Sequence, residues 1–385
     1  TAPRIAHEVP SWQAAFDVAL TARGAGDPDL ALVAAGESGL AVVDVAHAAA
    51  PTTLAAVAAG FSARRVAAAG DVAYVAGSGR VAAFDVTDPR APVLLGVAAT
   101  AGTAQDFAVQ GDNVLVADGG AGLTVMDASD PARLTATGSV TATGSYFVDV
   151  VVDGPHVFAA DTGFGLRVVD TADPAAPRIA ASVPYTTQWE SRGLALGGDR
   201  LFAVASQVPI ERMFEGEWPE DVLAVEVTDP RAPRAEGWLE VGGWPKGMAT
   251  DAGRLYLVSG RDTGRDFGPF PSTVMVWRDV AAGPVGARQW STKLPEVPQG
   301  VAAAGDHAYV ADREAGLMVV DVSDEALDRP TPPPSPTPTR VPSATPRPGE
   351  VTATPLPTST VLPSPTAERP APPRVYLPAV GNTGG

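Results

Sequence analysis

The feature that most constrains the fold is an internal repeat that runs through most of the chain. Its third apolar run ends in an acidic residue in most copies, at Asp44, Asp85, Asp127, Asp170, Glu226 and Asp321. The steps between the first four of these are 41, 42 and 43 residues. A period of this length is typical of the blades of a β-propeller, each of which contains four short strands.

Each copy has the same internal pattern. A short apolar strand is followed by a turn such as Gly-Asp, a second strand such as Val72–Ala76, a Gly-containing hairpin and a third strand such as Leu166–Asp170. An outer strand follows an Asp-Pro turn, which recurs at Asp88-Pro89, Asp130-Pro131, Asp173-Pro174 and Asp229-Pro230. An Asp carboxylate before Pro accepts a nearby backbone N–H, and Pro fixes φ at the next position. We also predict that the acidic residues that end the third apolar runs are structural, because they recur in nearly every copy.

Two of the third-strand motifs support a family resemblance. The segments Gly-Leu-Arg-Val-Val-Asp (165–170) and Gly-Leu-Met-Val-Val-Asp (316–321) resemble those of the LVIVD-repeat family. The resemblance covers roughly residues 1–325 and is strongest in copies two, three, four and seven. It implies an all-β, seven-bladed propeller of a secreted or surface bacterial protein and names no activity. Six or eight blades remain alternatives, because the copies within 194–233 and 248–280 have diverged.

The N-terminal segment is predicted to close the ring. The seventh copy lacks an outer strand, and the sequence of residues 2–9 closely matches the outer strand at 176–183. We expect residues 2–10 to complete the last blade. Closure of this kind removes two exposed strand edges, which otherwise invite aggregation.

The composition changes abruptly near Pro330 to Pro, Thr and Ser. Such a segment lacks the apolar surface that would offset its ordering entropy. We therefore predict two parts: a propeller at 1–325, and a disordered stalk at 326–385 that ends in a short apolar motif, 374–380. The stalk, and a first residue that is not Met, favour an extracellular or cell-surface location.

The composition excludes several kinds of site and partner. The chain has no cysteine and only four histidines, so a thiolate site cannot form and a histidine-rich metal site is hard to assemble. A net charge of −17 argues against nucleic acid as a partner and favours a monomer. No apolar run approaches the ~18 residues of a membrane span.

Binding residues are predicted where blades five and six carry long insertions, at 206–221 and 260–272. Long loops on a rigid scaffold commonly carry binding sites. The candidate ligand-binding residues are Trp189, Trp218, Trp244, Lys246, Arg212, Arg265, Asp266 and Phe267. The alternative is that the aromatic residue near the start of most copies packs between blades, as for Trp12, Phe61 and Tyr146.

A second candidate site lies where the inner strands begin, at one mouth of the central channel. Aligned copies place Asp17, Arg65, Asp106, Asp149, Gly193, Gly247 and Gly300 there. The carboxylates of Asp17, Asp106 and Asp149 could hold Ca²⁺, which prefers oxygen ligands. They could equally pair with Arg64 and Arg65 or be hydrated. No other cofactor and no catalytic residue is predicted.

These features favour a non-catalytic extracellular or cell-surface module for binding or adhesion. Its expected partner is a polysaccharide, a peptide or a cell-envelope protein. One alternative is a secreted hydrolase or lyase with a cation site at the channel mouth, an analogy that rests on fold alone. The other alternative is a structural spacer that binds no ligand.

Overall fold

The computed structural model describes residues 4–9, 14–22, 28–185, 193–205, 220–260, 272–278, 280, 288–323 and 327. The chain divides into two units, Thr1–Pro332 and Pro333–Gly385, and every described residue lies in the first. Apart from Leu327, the predicted stalk at 326–385 lies outside the described residues. Leu327 is buried with residues of the last two blades, so the core of the propeller extends past residue 325.

The described residues form seven antiparallel sheets of four strands each. The first strand, β1 (Arg4–Val9), belongs to the last sheet. Blade 1 contains β2 (Asp17–Thr21), β3 (Leu30–Ala34), β4 (Leu40–Asp44) and β5 (Thr52–Val57). Blade 2 contains β6 (Arg65–Ala69), β7 (Val72–Gly77), β8 (Arg80–Asp85) and β9 (Val93–Ala99). Blade 3 contains β10 (Asp106–Gln110), β11 (Asn113–Ala117), β12 (Leu123–Asp127), a 3₁₀ turn (Pro131–Arg133) and β13 (Thr135–Val140).

Blade 4 contains β14 (Phe147–Asp153), β15 (His156–Asp161), β16 (Gly165–Asp170) and β17 (Arg178–Pro184). Blade 5 contains β18 (Leu194–Gly197), β19 (Arg200–Ala205), β20 (Glu220–Glu226) and β21 (Arg234–Gly243). Blade 6 contains β22 (Pro245–Asp251), β23 (Arg254–Ser259), β24 (Thr273–Arg278) and β25 (Arg288–Lys293). Blade 7 contains β26 (Pro298–Ala304), β27 (His307–Asp312) and β28 (Gly316–Asp321), together with β1. The fold is therefore the predicted all-β propeller with seven blades, and the six- and eight-bladed alternatives are excluded.

The predicted closure by the N-terminal segment is confirmed. Strand β1 pairs antiparallel with β28, with Arg4 opposite Asp321 and Val9 opposite Leu317. Ile5 packs against the core between blades 6 and 7. The inner strands of blades 7 and 1, β26 and β2, are neighbours, so the ring of blades closes.

The core consists of layers between blades, because each blade is covered on both faces. All five residues of Leu30–Ala34 in β3 are buried. Side chains alternate between the two faces of a strand. Leu30 and Leu32 accordingly pack with residues of blade 2, whereas Ala31 and Val33 pack with residues of blade 7. Each of the seven boundaries between neighbouring blades has such a cluster within the described part of the chain.

The recurring acidic residues have the structural role predicted for them. Asp44, Asp85, Asp127, Asp170 and Asp321 each accept a hydrogen bond from the backbone N–H two residues later, at 2.9–3.1 Å. The four Asp residues of the Asp-Pro turns accept the equivalent bond at 3.0–3.1 Å. Hydrogen bonds to the charged carboxylate, from Thr87, Ser129 and Ala172 respectively, lower the pKa of Asp85, Asp127 and Asp170.

The Asp-Pro turn of one blade also covers the outer strand of the blade before it. A Cβ added at Gly96 in β9 would lie 2.7 Å from the carbonyl oxygen of Ala132, in the 3₁₀ turn of blade 3. A Cβ at Gly138 in β13 would overlap the carbonyl oxygen of Pro174 in blade 4. Glycine at these two positions therefore allows two backbones to meet without a side chain between them.

Candidate functional site

Two kinds of loop share one face of the propeller, here called the upper face: the loops between blades, and the hairpins between second and third strands. The hairpin residue Gly36 forms an antiparallel bridge with Ala63, which lies between blades 1 and 2. Gly119 and Phe147 form the corresponding bridge between blades 3 and 4. The second strands of blades 5 and 6 end at Ala205 and Ser259, and most of the insertions predicted at 206–221 and 260–272 lies outside the described residues.

The channel mouth on the upper face is lined by one residue from each blade. Equivalent positions follow from the pairing of first and second strands, where Asp17, Arg65, Asp106 and Asp149 lie opposite Ala34, Ala76, Ala117 and Ala160. By the same register Gly247 lies opposite Val258 and Gly300 opposite Ala311, and the carbonyl of Gly193 accepts the N–H of Val204. These seven residues, called the channel ring, are those that the repeat alignment brought together.

Three blades of the channel ring are joined to the next by a carboxylate. Asp17 Oδ2 accepts the backbone N–H of Val66 at 3.1 Å. Asp106 Oδ2 accepts that of Val150 at 3.0 Å. Asp149 Oδ2 accepts that of Leu194 at 2.8 Å. Inner strands have no strand on their channel side, so these carboxylates satisfy edge N–H groups that would otherwise depend on water.

Glycine on the other side of the channel ring permits close packing instead. A Cβ at Gly300 would lie 2.6 Å from Asp17 Oδ1, and a Cβ at Gly247 would lie 3.1 Å from the Cα of Gly300. A Cβ at Gly193 would lie 2.6 Å from a methyl group of Val204. The channel mouth is therefore narrow on the glycine side, and its polar groups are gathered on the side of blades 1–4.

Arg65 is the cation of the channel ring. Its Nε lies 3.2 Å from Asp106 Oδ1, and the two side chains are 13% and 15% exposed. Arg64 does not join the ring but lies over the ring of Phe16, with 4.9 Å from Cζ to the ring centroid. Arg64 and Arg65 were both predicted as possible partners for the carboxylates. The structure shows an ion pair between Arg65 and Asp106.

Burial of the carboxylates shifts their protonation. Burial raises the pKa of Asp17 to about 6, an effect that Arg65 opposes and Asp106 reinforces. Burial also raises the pKa of Asp149 well above its usual range. The charge of Asp106 and a side-chain hydrogen bond to it raise that pKa further, while Arg65 and the Leu194 N–H oppose the shift. Burial in the channel ring therefore disfavours the charged form of both Asp17 and Asp149.

The raised pKa of Asp17 predicts that stability falls as the pH rises. Between the unfolded value of 3.8 and the folded value of about 6, the native state binds more protons than the unfolded chain. The free energy of unfolding therefore decreases across that window and is level above it. Asp17→Asn, which mimics the protonated group, is expected to be about 2 kcal/mol more stable than the wild type at pH 7.5 and equal to it near pH 4, after allowance for screening by channel water.

Urea unfolding at both pH values measures this difference. Asp153→Asn, at an exposed position near the end of β14, is the matched control. If Asp17→Asn were less stable than the wild type at pH 7.5, the hydrogen bond to Val66 would outweigh the cost of the buried charge, and the prediction would be wrong.

The sequence analysis did not single out the buried carboxylates Asp118 and Asp161 on the upper face. Asp118 accepts hydrogen bonds from Thr100, Gly102, Ala104 and Thr124, at 2.8–3.1 Å. Asp161 accepts four hydrogen bonds at 2.6–3.1 Å, from Ser145, Tyr146, Gly163 and Arg167. Asp118 directly follows the second strand of its blade and Asp161 is the last residue of that strand in the next blade. Each stands in the recurring dipeptide Ala-Asp, which is the signal that could have identified them.

Of the eight residues predicted to bind ligand, the structure describes Trp244 and Lys246. Trp189, Trp218, Arg212, Arg265, Asp266 and Phe267 lie outside the described residues, as does Trp12. Trp244 is half-buried on the upper face, where its carbonyl oxygen accepts the N–H of Gly260 at 3.1 Å. Lys246 lies in β22, where the pairing register with β23 shifts between Pro245 and Gly247.

For Phe61 and Tyr146 the structure shows the alternative role, which is packing between blades. Phe61 is 8% exposed and belongs to the core between blades 1 and 2. Tyr146 packs against the core between blades 4 and 5, and its hydroxyl accepts a hydrogen bond from Gln105 at 3.2 Å. Aromatic residues at these two positions therefore contribute to contacts between blades.

Within the described ranges, no three His, Asp or Glu side chains are arranged to hold a metal ion. The carboxylate oxygens of the channel ring whose partners the structure shows accept hydrogen bonds from backbone N–H groups or pair with Arg65. The Ca²⁺ site at Asp17, Asp106 and Asp149 stays a prediction. No helix in the described part of the chain has the length and apolar character needed to cross a membrane.

The chain carries LVIVD repeats. The model of that repeat matches residues 60–100, 101–142, 145–184 and 298–327, which fall in the blades where the sequence resemblance is strongest. No curated protein matches the chain at a significant level of sequence similarity.

Solved structures share the fold at low sequence identity. The Pan2 WD40 domain of Neurospora crassa is 10% identical with a TM-score of 0.57, over 80% of this chain and 89% of that one. The Cps50 (Swd1) β-propeller domain of Myceliophteria thermophila is 14% identical with a TM-score of 0.57, over 82% and 99% of the two chains. The computationally designed protein Ika8 is 9% identical with a TM-score of 0.56, over 83% and 99%. At these identities the likeness concerns the fold alone.

Proposed function

We propose that this seven-bladed propeller, built from LVIVD repeats, is a non-catalytic binding module that acts outside the cell or at its surface. Its ligand is a polysaccharide, a peptide or a cell-envelope protein, and the ligand contacts the upper face. One observation carries the proposal: the channel ring consists of Asp, Arg, Asp, Asp and three Gly, whereas the opposite face repeats from blade to blade.

The opposite face provides the comparison. There, in six of the blades, the backbone N–H after the third strand donates to the carbonyl oxygen of a residue in the first hairpin of the same blade. Donor and acceptor are Val45 and Asp29, Val86 and Asp71, Ala128 and Asp112, Thr171 and Pro155, Val227 and Asp199, and Val322 and Asp306. Elements that determine the fold recur in every blade, whereas a binding site needs particular residues at particular positions.

Two further observations support a binding role without catalysis. Each carboxylate of the channel ring has one oxygen committed to a backbone N–H, which suits positioning better than proton transfer to a substrate. Half-buried Trp244 lies on the same face and offers an aromatic surface for stacking. The Pro- and Thr-rich composition after Pro330 supports the proposed location.

Tryptophan fluorescence of the full chain against a panel of polysaccharides and peptides tests the proposal, with and without Ca²⁺. We expect a saturable change for one class of ligand, and an affinity about threefold to tenfold weaker in Trp244→Phe because stacking is reduced. Trp290→Phe is the matched control, since Trp290 lies on the outer strand of the same blade beside Arg278.

A flat response to the whole panel would contradict the proposal and favour the spacer. A response to Ca²⁺ alone would favour a cation site at the channel mouth. Equal loss of affinity in both variants would place the ligand away from Trp244.

A further inference from the structure

An arginine that lies over an aromatic ring stands at the rim of the channel mouth, between blades 1 and 2. The Arg64 Cζ atom is 4.9 Å from the centroid of the Phe16 ring, within the range of a cation–π contact. The ring is half-buried against the upper hairpin of blade 1, where a Cβ added at Gly36 would lie 3.1 Å from Phe16 Cε2. Arg64 itself is exposed. Phe16 therefore supports a guanidinium at the surface of the upper face.

The N–H groups of this guanidinium are available to a ligand. Among the residues that the structure describes, no carboxylate pairs with Arg64 and no acceptor bonds its side chain, whereas the next residue, Arg65, is paired with Asp106. Arginine presents five N–H donors in a rigid planar fork, which matches the two oxygens of a carboxylate. Contact with Phe16 restricts the fork before a ligand arrives, so less conformational entropy is lost on binding.

A second aromatic ring on the upper face is open to solvent. Phe164 lies in the hairpin between β15 and β16 of blade 4 and is 38% exposed. The other large hydrophobic side chains that are exposed in the described part of the chain lie on the outer strand β9 and are Val93, Leu94 and Val97. Phe164 is therefore the exposed aromatic ring on the face that carries Arg64.

An arginine also holds the ring of Phe164 in place. The Arg167 Cζ atom lies 3.7 Å from the ring centroid. Its Nε donates to Asp161 at 3.1 Å and its Nη1 donates to Ser182 at 3.0 Å, so the guanidinium is itself held by two partners. A ring fixed in this way offers a flat surface against which the C–H face of a sugar can stack at little cost in entropy.

These two features match the two chemical parts of a uronic acid residue, which are an apolar C–H face and a carboxylate on the same ring. A neutral sugar would give the donors of Arg64 no charged acceptor. An acidic peptide carries its carboxylates on flexible side chains, whose ordering reduces the affinity. Because Arg64 and Phe164 belong to different blades, a chain of several sugars can contact both, and the second contact is then made within one complex.

The net charge of −17 does not exclude an acidic ligand. Charges are screened over about 8 Å at physiological ionic strength, so the groups close to each contact decide whether the ligand binds. At the first contact Arg64 supplies the charge, and the carboxylate of Asp106 nearby in the channel ring is paired with Arg65. At the second contact the carboxylate of Asp161 is paired with Arg167.

We propose that the upper face binds a polysaccharide that contains uronic acid residues. The guanidinium of Arg64 pairs with a carboxylate of the chain, and the ring of Phe164 stacks against one of its sugars. This inference rests on the proposed binding function and narrows the class of ligand to an acidic polysaccharide.

Calorimetric titration of the full chain with an octamer of galacturonic acid tests the site. EDTA is present, so that chelation of Ca²⁺ by the ligand plays no part. We expect saturable binding with Kd on the order of 0.1 mM, from one charged hydrogen-bonded pair and one stacking contact. The methyl ester of the octamer has the same rings without the charge and should bind about tenfold more weakly. Octaglutamate and a dextran sulfate of similar length should bind about fivefold more weakly, because their anionic groups differ in rigidity or shape.

Variants separate the two contacts from the effect of net charge. Arg64→Gln should weaken binding of the octamer about tenfold, and Arg64→Lys, which keeps the charge without the fork, about threefold. Phe164→Leu should weaken it about fivefold. Arg90→Gln is the matched control, since Arg90 is also exposed but lies on the Asp-Pro turn of blade 2, on the opposite face. All four variants should melt within about 2 °C of the wild type, because the changed side chains are exposed.

Equal affinity for the octamer and its methyl ester would overturn the inference, as would equal losses in Arg64→Gln and Arg90→Gln. Unchanged binding in Arg64→Gln or in Phe164→Leu would overturn the contact assigned to that residue. Tighter binding of octaglutamate or dextran sulfate would overturn the assignment to uronic acid. If the octamer fails while another ligand of the fluorescence panel binds, this inference is wrong and the proposed function stands. If every ligand fails, both are wrong.

Discussion

A chain that lacks residues 1–9 is expected to melt about 7 °C below the full chain. The deletion removes β1, which is paired along β28 from Arg4–Asp321 to Val9–Leu317. It also uncovers the core beside Ile5. The loss of about three net hydrogen bonds contributes roughly 1 kcal/mol each, and the lost burial of Ile5 contributes about 2 kcal/mol. The free energy of unfolding therefore falls by about 5 kcal/mol in total. In a domain of this size that loss corresponds to the stated change in melting temperature.

Calorimetry of two truncated chains measures the effect. A chain that lacks only residues 1–3 retains all of β1 and is the matched control, expected to melt within about 2 °C of the full chain. The longer deletion should also promote association, because it exposes β28 as a new sheet edge. Equal melting temperatures for the two chains would show that β1 contributes nothing to closure.

Gly138→Ala is expected to destabilise the propeller by about 3 kcal/mol. Its Cβ would overlap the Pro174 carbonyl oxygen and crowd the Pro177 ring, which lie on the Asp-Pro turn of blade 4. Neither group is the end of a flexible side chain, so relief requires that two blades move apart. The normal gain of replacing Gly with Ala, about 0.4–1 kcal/mol through the unfolded chain, is too small to offset this.

Gly120→Ala in the same blade is the control for Gly138→Ala. Its Cβ would lie 3.9 Å from the ring of Tyr146, an ordinary contact, and its φ is not positive. The change in free energy of unfolding should stay within about 0.5 kcal/mol of zero. Urea denaturation compares the two variants, and similar midpoints for both would mean that blades 3 and 4 are not in close backbone contact at Gly138.

The architecture could be predicted from the sequence because its determinants repeat. The period of 41–43 residues defined the blades, and the Asp-Pro dipeptides marked turns whose carboxylates do accept the N–H predicted for them. The match between residues 2–9 and 176–183 predicted the closing strand, since an outer strand in any blade meets the same surroundings. The alignment of copies also identified the seven positions of the channel ring.

The chemistry of the site was less accessible, because it depends on contacts between blades that no single repeat contains. Nothing in the segment around Asp149 shows that its oxygen accepts the Leu194 N–H or that the charge of Asp106 contributes to its raised pKa. The four hydrogen bonds of Asp118 include two from backbone N–H groups of a loop between blades, at Gly102 and Ala104. Six of the predicted ligand-binding residues lie outside the described residues, so the prediction for them is unchanged.

The pairing of β1 with β28 also governs when the protein can finish folding. Arg4 and Asp321 are at opposite ends of the propeller sequence yet are adjacent in the sheet. During synthesis the earliest strand must wait, unpaired, until the last blade has left the ribosome, and contacts between such distant segments form slowly. A product released before residue 316 would have no partner for β1 and would remain an open arc. The ring can therefore close only after the final blade has been translated, and a prematurely terminated chain cannot close it.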